Sequence, residues 1–66
     1  MTTKKKVVVD TYKKKGQLFW VKEYEGKFYV SHLDDRLGTT TTFEDALDLI
    51  KASVDGTVSN IRISDA

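Results

Sequence analysis

A chain of 66 residues with net charge +1, 39% hydrophobic and 32% charged, allows one domain with a thin core, and is neither a polycation nor a disordered segment. It has no cysteine, which excludes disulfide staples and thiolate chemistry. Its longest apolar runs, such as Val7–Val9, are far too short to cross a bilayer or to form a signal-peptide core, so the expected setting is cytoplasmic, with no membrane partner.

The small net charge hides a division along the chain. Residues 1–27 carry eight Lys against Asp10, Glu23 and Glu25, whereas residues 28–66 carry Arg36, Lys51 and Arg62 against seven acids. The runs Lys4–Lys6 and Lys13–Lys15 read first as a solvated terminus and a solvated turn. The second reading is a basic edge that meets an anionic partner.

In chain order, residues 1–5 read as a frayed start. Val7–Tyr12, rich in β-branched residues, reads as a first strand. Lys13–Gln17 is a turn, Leu18–Tyr24 a second strand, Glu25-Gly26 a tight turn, and Lys27–His32 a third strand. Leu33–Thr40 reads as a loop, with Gly38 available for an unusual backbone angle. In Thr41–Gly56 the residues Phe43, Ala46, Leu47, Ile50 and Val54 fall on one stripe of a helix, with Glu44, Asp45, Asp48 and Lys51 on the other side. Thr41 with Glu44, or Thr42 with Asp45, supplies a capping box, and Lys51 and Gly56 mark the stop. Thr57–Ile63 reads as the last strand, and residues 64–66 as a frayed tail.

Turn lengths sort the strand side chains. A two-residue loop at Glu25-Gly26 puts Tyr24 opposite Lys27, Val21 opposite Val30 and Phe19 opposite His32. A three-residue loop Lys14-Lys15-Gly16 puts Val9 opposite Val21. Phe19, Val21, Phe28 and Val30 then share one face with Val7 and Val9, and Ile61 and Ile63 complete it. The expected fold is a single α+β domain: a four-stranded, mostly antiparallel sheet (β-β-β-α-β) with one helix packed on one face. A right-handed crossover brings the last strand in parallel to the first, in the order 4-1-2-3. Pairing of the last strand with the third is the alternative.

The opposite face collects Val8, Asp10, Tyr12, Leu18, Trp20, Lys22, Tyr24, Lys27, Tyr29, Ser31 and Arg62, and no second helix remains to cover it. Exposed aromatic patches mark interaction surfaces, so the candidate binding residues are Tyr12, Leu18, Trp20, Lys22, Tyr24, Lys27, Tyr29 and Arg62. The plainer account is that Tyr and Trp are simply good strand formers and that Lys stems shield them. A protein partner ranks first, through self-association or as a small inhibitor or adaptor of a larger machine. Single-stranded nucleic acid stacking on the rings ranks second, because Glu23, Glu25 and the acidic C-terminal half would repel a long polyanion.

No enzyme, cofactor or metal site is expected. Ser31 and His32 are adjacent on a strand and point to opposite faces. His32 with Asp34 and Asp35 has no recognised metal spacing. Asp34-Asp35-Arg36 reads as turn chemistry, and Glu44, Asp45 and Asp48 as a solvated helix face, with docking of a basic partner as the alternative.

Two stretches carry family likenesses. Leu37-Gly38-Thr39, Thr42 and Glu44-Asp45-Ala46 resemble the strand-to-helix junction of integrase arm-type and plant ethylene-response DNA-binding domains, which implies a sheet laid in the major groove. Phe19-Trp20, the Thr-initiated acidic helix and the strand with Arg62 are similar to small phage inhibitors of bacterial RNA polymerase, which implies a protein-docking module.

Overall fold

A computed structural model describes residues 3–66. Its elements are β1 (Thr3–Thr11), β2 (Gln17–Tyr24), β3 (Lys27–His32), β4 (Asp35–Thr40), α1 (Phe43–Ser53) and β5 (Val58–Asp65). The fold is α+β as expected, but the sheet has five strands in the order β4-β3-β2-β1-β5, all paired antiparallel. The expected loop Leu33–Thr40 contains the extra strand. Leu33 and Asp34 turn the chain so that His32 pairs with Asp35, and Leu33 holds the left-handed angle (φ 56°) that was expected at Gly38. Gly38 instead lies in β4, where a Cβ would come within 3.0 Å of the Leu49 side chain. Its lack of a side chain lets the helix approach the strand.

The extra strand also explains the second correction. With β4 added, the chain enters the helix from a strand running opposite to β3, so β5 emerges antiparallel to β1. The last strand still lies beside the first, pairing Val7 with Ile63 and Val9 with Ile61.

The β2–β3 hairpin follows the expected register, with Tyr24 opposite Lys27 and Val21 opposite Val30. Glu25 and Gly26 both have positive φ (51° and 75°), the two-residue turn that matches strand twist. The first hairpin differs: Val9 faces Gln17 and Lys5 faces Val21. Its connection is longer because Thr11 is buried and tied to Lys14. The Thr11 amide donates to the Lys14 carbonyl (2.7 Å), and its hydroxyl both donates to that carbonyl and accepts from the Lys14 amide. The slip is by an even number of positions, so every side chain that stays in the pairing keeps its face.

The core is Val7, Val9, Phe19, Val21, Val30, Ala46 and Ile50, with Phe28, Leu37, Phe43, Leu47, Leu49, Val54, Val58 and Ile61 packed around it. Helix α1 begins at Thr42, whose side-chain oxygen accepts from the Asp45 amide at 3.1 Å; the second of the two expected caps is the one formed, and such a cap contributes about 1 kcal/mol. The helix lies nearest β3 and β4. That offset leaves Ile63 43% exposed, so Ile63 does not complete the inner face as expected.

Both ends are better tied than a frayed reading allows. Thr3, Lys4 and Lys5 pair with Glu23, Lys22 and Val21, and Lys5 Nζ meets Asp65 at 2.8 Å. The Ala66 amide donates to the Lys4 carbonyl. The fraying expected at residues 1 and 2 lies outside the described residues. Among the described residues, no helix is long and apolar enough to cross a membrane.

Candidate functional site

Alternation along β1, β2 and β3 sends the even residues of the first two strands and the odd residues of the third away from α1. On this outer face Val8 pairs with Leu18, Lys6 with Trp20, Lys4 with Lys22, Lys22 with Tyr29, and Tyr24 with Lys27. Trp20, Tyr29 and Leu18 are half-buried in the sheet surface, and Tyr24 is 45% exposed. No element of the described chain covers them.

Two of the rings lie under cations. Lys4 Nζ is 4.3 Å from the Trp20 ring centroid, and the Arg36 guanidinium is 5.9 Å from that of Tyr29. Such contacts contribute roughly 0.5–1 kcal/mol at exposed sites. The first depends on the slipped hairpin, because Val9 opposite Gln17 draws the basic start of β1 alongside Trp20 and Lys22. The second depends on β4, where Arg36 pairs with Ser31 next to a bulge. Lys4, Lys6 and Arg36 were therefore missed as surface residues by sequence reasoning. The signal was present only in the even spacing of Lys4, Lys6 and Val8.

Tyr12 does not belong to this face. It stands in the β1–β2 connection, 68% exposed, beside Gly56 and with Lys13 Nζ 5.6 Å from its ring. Its amide donates to the Thr57 carbonyl. The longer connection removed it from the strand before it could oppose Leu18. Arg62 is on the face, opposite Val8, but its Nη2 donates to both carboxylate oxygens of Asp10, at 3.0 and 3.1 Å. Asp10 also accepts from the Gly16 amide at 2.8 Å. That amide holds the Asp10 carboxyl below its ordinary value of 3.8; burial opposes it, and the Arg62 charge then adds to the lowering.

The face therefore carries Lys4, Lys6, Lys22, Lys27, Arg36 and Arg62 against Asp10, which is already paired, and Asp34 in the turn between β3 and β4. Glu44, Asp45 and Asp48 lie on α1, on the other side of the sheet. The cations of this face and the acids of α1 thus lie on opposite sides of the sheet.

Compared with known protein families, with curated proteins and with solved structures, the chain has no match. The surface itself is what argues for a role.

The inner side offers less. His32 stacks on Phe19, with centroids 4.6 Å apart and planes at 28°, as a packing partner of the core. Among the described residues no group of three or more His, Asp or Glu side chains converges on a point that could hold a metal ion. The acidic side chains of α1 are exposed and lie in the first turns of the helix, where they suit its dipole.

Proposed function

We propose that this chain is a small non-catalytic interaction module whose working surface is the outer face of its sheet. The observation that carries this reading is the coincidence of Trp20, Tyr24 and Tyr29 with Lys4, Lys6, Lys22, Lys27 and Arg36, which have no acidic partner among the described residues, on the one face that no helix covers. Aromatic and Arg side chains are the usual anchors of binding surfaces, and a domain this small gains little stability from leaving rings in water.

A protein partner would bury Trp20, Leu18, Tyr24 and Tyr29 behind a rim of Lys22, Lys27 and Arg62, as an adaptor or inhibitor of a larger assembly in the cytoplasm does. A second copy fits less well face to face, because that would oppose like charges. Head to tail, basic sheet on acidic helix, it would form an open chain instead of a closed dimer. Nucleic acid is the other reading of the same surface, and the segregation of cations onto this face favours it over a protein.

Site-specific photo-crosslinking in the cells that make the protein tests the surface assignment without naming the partner. A benzophenone side chain at position 24 is expected to give adducts, and the same group at position 48 on α1 is expected to give none. Adducts from position 48 alone would move the working surface to the acidic helix.

A further inference from the structure

We infer that the outer sheet face takes single-stranded nucleic acid, with Tyr29 as the central stacking platform; the inference rests on the reading of this face as the working surface. Two shallow depressions adjoin there. One, of about 230 Å³, is lined by Lys22, Tyr24, Tyr29 and Arg36. The other, of about 360 Å³, includes Lys4, Trp20, Ser31 and Asp34, and shares Lys22, Tyr29 and Arg36 with the first. Each depression combines a ring that another group can stack on with at least two cations. That is the pairing one nucleotide presents, a flat base and a phosphate.

The spacing fits more than one nucleotide. Trp20 and Tyr24 are four residues apart on β2, roughly 13 Å at about 3.3 Å per residue. Tyr29 pairs with Lys22, midway between them, on the neighbouring strand. Diagonal neighbours across a strand pair are about 7–8 Å apart, so Trp20, Tyr29 and Tyr24 form a zigzag of three rings. Successive bases of an extended, unstacked strand can meet such a series in turn. The cations that now lie over Trp20 and Tyr29 are long, flexible side chains, and they can swing to phosphates as bases take the ring faces.

A duplex does not suit this surface. Its bases are stacked inside, so it offers the rings of this face nothing to stack on. An acidic polypeptide would satisfy the cations but would give the rings no flat partner. Asp34 lines the larger depression but is outnumbered there by Lys4, Lys22 and Arg36, and the acids of α1 do not oppose a strand lying here. A helix about 10–12 Å across carries them on the other side of the sheet, beyond the roughly 8 Å Debye length at physiological ionic strength.

The test is fluorescence anisotropy of labelled 12-mer oligothymidine and oligouridine titrated with the full chain at low salt. Parallel titrations use a duplex of the same length and polyglutamate. The inference expects single strands to bind more tightly than duplex or polyglutamate. Binding should weaken linearly on a log–log salt plot, by about 0.7 per phosphate neutralised. Tyr24→Ala, a change at an exposed position, and Tyr29→Ala should each weaken binding about tenfold or more, and Arg36→Gln should flatten the salt slope. Circular dichroism of each variant keeps a loss of fold distinct from a loss of binding. Polyglutamate binding as tight as the oligonucleotides, lost in Arg36→Gln but unchanged in Tyr24→Ala, would overturn nucleic acid and leave the surface assignment standing. Oligonucleotide binding indifferent to all three variants would overturn both. No oligonucleotide binding at low salt would overturn the inference, leaving the crosslinking result to judge the surface.

Discussion

Asp10 shows how much one residue organises. Its carboxylate accepts from the Gly16 amide, which closes the long connection after β1, and from Arg62, which ties β5 across the outer face. Its main-chain carbonyl accepts from the Ser59 hydroxyl beside the shift in β1–β5 register. Because the folded carboxyl titrates below its ordinary value of 3.8, the stabilisation is present above that value and is lost as pH falls through the native one. Asp65, held low first by its hydrogen bond to Lys5, acts in the same direction. Thermal unfolding of Asp10→Asn against the parent across the acid range isolates the first contribution. The gap in melting temperature is expected to be constant near neutrality and to shrink below 3.8. A gap independent of pH would mean that the amide and guanidinium contacts do not depend on the charge.

At the scale of elements, β2 decides which side of the sheet is core. Phe19 is 1% exposed against α1, while its neighbour Trp20 lies on the far face under Lys4. Phe19→Ala should cost about 3–5 kcal/mol, comparable to the whole stability of a domain this size, and so unfold the chain. Trp20→Ala should leave it folded, with a modest fall in melting temperature. Equal losses from both, read by circular dichroism melts, would contradict the assignment of faces.

The same strand shows what a sequence can and cannot carry. The β2–β3 register was legible because Glu25-Gly26 admits only one tight turn, and the helix because its apolar stripe and Thr caps agree. The strand Asp35–Thr40 was not legible. Its composition of Asp, Gly and Thr is that of a loop, and the turn before it puts Leu33, a poor residue for a left-handed angle, where Gly or Asn is usual. The first hairpin was misjudged in length because Gly16 suits a bulge. The buried hydroxyl of Thr11 that holds the longer connection has no signature in residue type. The faces survived this error because the slip was even. Tyr12, past the end of the pairing, did not. Arg36 entered the candidate site, and Lys4 and Lys6 joined it, for reasons of register alone.

For the molecule as a whole, five strands and one helix leave a two-sided object. One side packs α1 over the core and presents acids; the other presents rings among cations. A net charge of +1 conceals this, since the field near a surface is set by the nearest charges and is screened over about 8 Å. Trp20 is the only tryptophan and sits in the middle of the basic side, so its fluorescence reports that side alone. Collisional quenching of Trp20 by iodide and by caesium at matched low ionic strength tests the central claim most directly. An open, electropositive face predicts a larger quenching constant for iodide than for caesium, with the difference closing as neutral salt is added. Resistance to both ions, or stronger quenching by caesium, would place the indole elsewhere and contradict the account.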